Sequence, residues 1–228
     1  AADAKHHLIV AHDVINVGND RTQLWSMAQK AREATAGKKL RVIADRGYFK
    51  GPEILACERA GIETYLPKPM TSNSRAEGRF SKLDFVYIAK DDEYRCPAGQ
   101  RLVFHHSAIE DDMKINVYWT NVCSSCPLKA QCTTGKERRV RRWEHEAVLD
   151  AMQARLDRKP HVMKIRRRTV EHVFGTLKHW MGSTHFLMKT LEHVGTEMSL
   201  HALAYNLKRV ISVLGIARTL KAMRMAGT

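Results

Sequence analysis

Two carboxylates stand in sequence surroundings that suit metal-assisted chemistry on phosphate. Asp45 ends a short apolar run, residues 40–45, at the position where open α/β sheets present side chains to ligands. Glu171 lies in a basic stretch, and a helix would carry Arg167, Glu171 and Lys178 on one face. A carboxylate on such a face can hold a divalent ion while its neighbours hold phosphate. A surface salt bridge between Arg167 and Glu171 explains the same spacing.

Four of the five cysteines form a pattern that suits a structural zinc ion. Cys123 and Cys126 are separated by two residues, which presents two thiolates to one tetrahedral cation. Cys96 and Cys132 complete a set of four thiolates. Metal-free packing and redox disulfides are the alternatives, and disulfides are disfavoured in a cytosolic chain. Cys57 lies on an apolar helix face, where a small core residue is more common than a ligand.

The positive charge of the chain predicts a polyanionic partner. The net charge is +14, and residues 136–228 carry 19 Lys and Arg against 8 Asp and Glu. Such a density suits a phosphate backbone, although a solvated helix face is the simpler alternative. The basic residues concentrate at Arg138, Arg139, Arg141, Arg142, Arg155, Arg158, Lys159, Lys164, Arg166, Arg167 and Arg168.

Hydropathy predicts no membrane partner. No stretch approaches the roughly 20 apolar residues that a membrane span requires. The first residues show no basic segment followed by an apolar one, so we expect a cytoplasmic protein.

Local periodicity predicts the elements that must position these residues. Short β-branched runs indicate strands, and apolar residues at helical spacing indicate the helices between them, which is the βαβ pattern of an α/β sheet. The expected strands are residues 8–14, 40–45 and 62–66, and the expected helices are residues 21–37, 52–61, 143–157, 167–180 and 195–214. Residues 216–228 are expected to fray, and Phe174 and Trp180 are expected in the core.

A change in composition predicts an insertion. From Thr71 the sequence becomes polar, rich in turns and cysteine-containing, and it is expected to stay irregular until about Glu137. The predicted organisation is an N-terminal α/β part, a zinc-ribbon-like insertion and a C-terminal helical part, covering residues 1–70, 71–142 and 143–228.

These residues resemble bacterial insertion-sequence transposases of the DDE class. The run Ala44-Asp45-Arg46-Gly47-Tyr48 is similar to the block around their second catalytic aspartate. Arg167, Glu171 and Lys178 reproduce the R-E-K portion of their Y-R-E-K signature, with Lys164 at the tyrosine position. The Cys-Pro and Cys-x-x-Cys-Pro pieces resemble the insertion of one subgroup.

The resemblance implies a ribonuclease-H-like domain, a mixed sheet with flanking helices interrupted by the cysteine-rich insertion. Three carboxylates, including Asp45 and Glu171, would hold two Mg²⁺ or Mn²⁺ ions for phosphodiester cleavage and strand transfer at insertion-sequence ends. The DNA contacts would come from Arg166, Arg167, Arg168 and Lys178. Such an enzyme would act on the nucleoid, as a homodimer assembled on DNA.

The first aspartate is missing from the expected place. In the ribonuclease-H-like fold the first catalytic aspartate stands on the opening strand. The expected strand at residues 8–14 would be the third strand of that fold. We therefore expect the first strand and its acid upstream, with Asp3 as the fallback, and a chain that binds DNA but barely cuts it. A DNA-binding module without catalysis, using basic helices and a zinc ribbon, and a nuclease of the same fold are the competing hypotheses.

Overall fold

A computed structural model describes residues 1–37, 39–69 and 74–226. The fold is mixed α/β, as the sequence predicts. The chain divides into two compact units: the first unit comprises residues 1–68 and 148–228, and the second unit comprises residues 69–147. The boundary expected between residues 70 and 71 falls outside the described residues.

The first unit contains a βαβ motif. Strands β1 (Arg41–Ile43) and β2 (Glu63–Tyr65) pair in parallel, and α2 (Gly51–Arg59) connects them. Pro52 stands in the first turn of α2, and Gly61 follows its end with a φ of 73°, a conformation that glycine adopts without strain. The expected strands at residues 40–45 and 62–66 are therefore confirmed.

The remaining described helices extend this unit. They are α1 (Leu24–Thr35), the 3₁₀ turn Arg46–Tyr48, α3 (Glu146–Arg158), α4 (Val162–Gly175), the π-helical turn Thr176–Trp180, α5 (Leu191–Leu214) and α6 (Ile216–Ala226). Helix α6 corrects the expectation of fraying for residues 216–226, because helical structure continues to Ala226, and residues 227–228 lie outside the described residues.

Buried apolar side chains hold α4 in place from two directions. Tyr65, Leu156 and Val162 form one cluster that joins β2, α3 and the start of α4. A second cluster joins the end of α4 and the π-helical turn to α5 through Val173, Leu177 and Tyr205. Burial of such side chains stabilises by about 1.5–3 kcal/mol each, so these clusters fix the rotation of α4 about its axis.

The segment at residues 8–14 is not a strand, which corrects the sequence-based expectation. It makes one isolated antiparallel bridge, between Ala2 and Ile9. The side-chain amide of Asn206 satisfies both backbone groups of Ile9: its Oδ1 accepts the N–H at 2.8 Å and its Nδ2 donates to the carbonyl at 2.8 Å. A helix side chain thus takes the place of a neighbouring strand at this residue.

The second unit is built on an antiparallel sheet. Its five strands follow chain order across the sheet, and Phe85, Tyr94, Leu102, Tyr118 and Val140 form its core. The strands are β3 (Val86–Ile88), β4 (Glu93–Arg95), β5 (Arg101–Glu110), β6 (Met113–Trp119) and β7 (Val140–Trp143). The 3₁₀ turns of this unit are Lys82–Asp84, Asn121–Ser125 and Lys129–Gln131. The expectation of an irregular insertion is therefore wrong, because β-branched and aromatic residues in the segment build a regular sheet.

Candidate active site

Asp45 is held by a backbone amide and by a cation. It lies two residues beyond β1 and caps the 3₁₀ turn Arg46–Tyr48. Its Oδ1 accepts the Gly47 N–H at 2.8 Å, and its Oδ2 accepts a hydrogen bond from Arg166 Nη2 at 2.6 Å. A Cβ on Gly47 would come within 3.0 Å of Asp45 Oδ1, so the turn fits closely around the carboxylate. The carboxylate is oriented while remaining 40% exposed.

Glu171 lies on the exposed side of α4. Val162, Thr169 and Val173 of the same helix are buried. Arg166 and Glu171 are five positions apart, which places them about 140° apart around the axis of an α-helix. The side of α4 that meets Asp45 is therefore not the side that carries Glu171. The expectation that the two carboxylates approach within reach of a metal pair stays a prediction.

Arg167 and Glu171 do not form the surface salt bridge that offers the simpler explanation of their spacing. Across residues 1–37, 39–69 and 74–226, neither side chain has an ion-pair partner, and both are exposed. Lys178 belongs to the π-helical turn rather than to α4, so the rotation about the helix axis from Glu171 to Lys178 is smaller than an unbroken α-helix would give. Lys178 remains exposed, with its Nζ 5.9 Å from the centre of the Phe174 ring.

The structure separates the basic residues into two classes. Arg142 is buried, with its guanidinium 3.7 Å from the centre of the Tyr87 ring. Arg139 pairs with Glu137 and Arg141 pairs with Glu110. The arginines of residues 138–142 therefore serve the second unit itself. The exposed cations of the first unit near Glu171 in sequence are Lys164, Arg167, Arg168 and Lys178.

The four cysteines of the predicted zinc site line one pocket of the second unit. Cys96, Cys123, Cys126 and Cys132 surround a cavity of about 20 Å³, and all are reduced. Burial raises the pKa of the Cys132 thiol. Within the described residues, however, no group of three or more His, Cys, Asp or Glu side chains is placed to hold a metal ion. The cysteines converge without forming the tetrahedral thiolate set that zinc requires.

Cys57 stands apart from this pocket, as predicted. It is fully buried on α2, and burial raises the pKa of its thiol to about 12. A thiol held in its neutral form by burial is inert, which agrees with a packing role.

Comparison with protein families identifies the chain. A family model described as a transposase DDE domain matches residues 95–211, just over half of the sequence. The chain belongs to this transposase family. No curated protein matches the sequence, and no solved structure matches it. The matched stretch of the transposase includes Arg167, Glu171, Lys178 and the four pocket cysteines, whereas Asp45 precedes it.

Transposase DDE domains use divalent metal, and the residues of this transposase fit that use in part. The Asp45 carboxylate already binds a cation, the Arg166 guanidinium, and the Glu171 carboxylate has no partner among the described residues. Carboxylate oxygens are the ligands that Mg²⁺ and Mn²⁺ prefer. A complete set of three acids is not assembled in the part of the chain that the structure describes.

Asp3, the fallback for the first acid, serves a local turn. Its Oδ1 accepts the Lys5 N–H at 3.2 Å and its Oδ2 accepts the His6 N–H at 2.6 Å. Asp13 pairs with Lys30 at 2.5 Å, and this partner lowers the pKa of its carboxyl. Both carboxylates therefore have structural partners.

Sequence reasoning missed the residues that fasten the N-terminal segment to α5. Tyr205 donates from its hydroxyl to the His7 carbonyl at 2.7 Å, and Arg209 donates from Nε to the His6 carbonyl at 2.6 Å. The Tyr205 hydroxyl also lies 3.1 Å from Nδ1 of His172, the neighbour of Glu171. Tyr205 and Arg209 stand one helical turn apart with Asn206 beside them, and this spacing was the signal for the contact. Among the described residues, no helix combines the length and apolar character needed to span a membrane.

Proposed function

We propose that this transposase cleaves DNA phosphodiesters and joins strands with Asp45 and Glu171 as its metal ligands. The observation that carries the proposal is the Asp45 carboxylate, oriented by Gly47 and already bound to a cation at 2.6 Å. Divalent ions held there would activate the attacking water or 3′-hydroxyl and stabilise the leaving oxygen. The DNA would comprise insertion-sequence ends and a target, with two copies of the chain assembled on it.

The basic residues of α4 and of the π-helical turn have two tasks in this proposal. Arg167, Arg168 and Lys178 hold the phosphate backbone through exposed charges that no carboxylate of the described residues neutralises. Arg166 neutralises Asp45, and a divalent cation bound by this carboxylate would take its place. The proposal also requires Glu171 to share an ion with Asp45.

The test measures nicking and strand transfer on DNA that carries terminal inverted repeats, with Mg²⁺ and with Mn²⁺. The chain is assayed beside a version extended upstream in the reading frame, because the first acid is expected there. We expect metal-dependent cleavage that is stronger in the extended version. Asp45→Asn and Glu171→Gln should abolish it without loss of DNA binding, since both variants remove a negative charge. Cleavage that survives either substitution would refute the assignment.

A DNA-binding module without catalysis is the second candidate. The absence of a three-acid group from the described residues favours it. It predicts DNA binding that is independent of metal, and no cleavage by either version of the chain. Removal of one phosphate-binding charge, in Arg167→Ala or in Lys178→Ala, should reduce the salt slope of binding by about one unit under both candidates.

We propose that the four-cysteine pocket binds zinc. The four cysteine side chains would reorient to place their thiolates around the ion. The convergence of Cys96, Cys123, Cys126 and Cys132 on one cavity supports the proposal. Elemental analysis of freshly purified, reduced protein should find about one zinc per chain, and Cys123→Ser should lower that content. Protein without zinc would leave metal-free packing as the role of these cysteines.

A further inference from the structure

Two aromatic rings that follow Glu171 in the sequence are exposed to solvent rather than packed in the core. Trp180, at the end of the π-helical turn, is 80% exposed, and Phe174, at the last turn of α4, is 52% exposed. The sequence-based expectation placed both in the core. It is wrong because Val173 and Leu177 supply the buried contacts of this region instead.

Each of these rings is accompanied by a lysine. The Nζ of Lys178 lies 5.9 Å from the centre of the Phe174 ring, and the Nζ of Lys208 lies 5.9 Å from the centre of the Trp180 ring. A cation at this distance is attracted by the negative face of the ring. Each of the two pairs therefore places a positive charge that suits phosphate beside the exposed face of an aromatic ring.

Phe174 shares the side of α4 that carries the candidate metal ligand. It follows Glu171 by three positions and Arg167 by seven, spacings that place all three on one side of an α-helix. The exposed ring is therefore about one helical turn from Glu171. Any group stacked on Phe174 would lie next to the carboxylate.

The chemistry around the rings favours nucleic acid over a second protein. Cores of protein interfaces are enriched in aromatic residues but depleted of lysine. Surfaces that bind single-stranded nucleic acid combine exposed aromatic rings with cations that follow the backbone. The charges at Lys178 and Lys208 match phosphate, and the rings match the faces of bases.

We propose that Phe174 with Lys178, and Trp180 with Lys208, form a stacking surface for unpaired nucleotides of the DNA next to Glu171. The faces of paired bases are covered by their neighbours in a duplex, so this surface recognises strands that are already separated or bases that have left the stack. The inference rests on the proposed function in one respect, that DNA is the partner.

The test compares three DNA probes of equal length: a 20-nucleotide oligothymidine, the same backbone without bases, and a 20-base-pair duplex. Trp180→Leu and Phe174→Leu keep an apolar side chain and remove the ring. Leu187→Ala changes a side chain that is also 80% exposed and serves as the control. Thermal unfolding of each variant checks that the fold is retained.

We expect each ring substitution to weaken oligothymidine binding by about fivefold or more, the range expected when one base no longer stacks. Binding of the abasic strand and of the duplex should stay within about twofold of the unsubstituted chain. Oligothymidine should also quench the fluorescence of the exposed Trp180.

Three results would overturn the inference. Equal losses on oligothymidine and on the abasic strand would show that the rings only support the charged surface. Unchanged affinity for oligothymidine would show that no base stacks on them. Loss of self-association in sedimentation with unchanged DNA affinity would assign the rings to a second copy of the chain. Ring-dependent binding without metal-dependent cleavage would leave this inference standing and remove the proposed catalytic function.

Discussion

Arg166→Ala should make Asp45 a better ligand for divalent metal. The guanidinium of Arg166 and a metal ion compete for the same carboxylate oxygen, Oδ2. The side chains of Asp45 and Arg166 are 40% and 26% exposed, so solvent screens their attraction. A pair of this kind is worth about 0.5–1 kcal/mol. Its removal should therefore tighten Mn²⁺ binding about two- to fivefold.

The assay follows free Mn²⁺ by electron paramagnetic resonance during a titration at about 0.15 M salt, where the Debye length is about 8 Å. Arg167→Ala is the matched control, because it removes the same formal charge from α4 without a contact to Asp45. We expect its effect on Mn²⁺ affinity to be smaller than that of Arg166→Ala. Equal effects would refute direct competition, and unchanged Mn²⁺ binding by Asp45→Asn would place the ion elsewhere.

Two further predictions concern stability. Arg155, which the sequence grouped with the polyanion-binding residues, pairs with Glu58, and both side chains are about one-fifth exposed. Arg155→Ala should therefore lower the free energy of unfolding by about 1–2 kcal/mol, measured in urea titrations. The same substitution should leave DNA affinity unchanged. An effect on DNA affinity alone would contradict this role. Burial, with smaller contributions from neighbouring positive charge, lowers the pKa of His7 and of His172 below 6.5. The unfolded chain therefore takes up protons at higher pH than the folded chain, and stability should fall as the pH drops through about 6.5. The double substitution of His7 and His172 by Gln should flatten that dependence, and identical pH profiles would show that neither histidine is responsible.

The βαβ motif could be predicted because its signals are local. Pro52 and Gly61 mark the ends of α2 through their own backbone preferences, whatever surrounds them. The short apolar runs beside them are long enough for buried strands and too short for helices. Asp45 was found for the same reason, since its position follows from the end of the strand before it.

Features that depend on distant partners could not be predicted. The apolar run at residues 8–14 has strand-like composition, yet Asn206, 197 positions beyond Ile9, satisfies the backbone there. The charge of Arg142 suggested phosphate, but its guanidinium stacks on Tyr87 instead. The expectation that Trp180 lies in the core was likewise wrong, because the π-helical turn changes which side of the helix faces inward.

The fastening of the N-terminal segment to α5 has a consequence for the order in which the first unit folds. His6, His7 and Ile9 are held by Arg209, Tyr205 and Asn206, across sequence separations of 203, 198 and 197 residues. Contacts of such long range form late, because a long loop must close before they stabilise anything. During synthesis, residues 6–9 leave the ribosome about 200 residues before their partners. At about 5–20 residues per second, this segment waits about 10–40 s for its partners, available to chaperones and proteases.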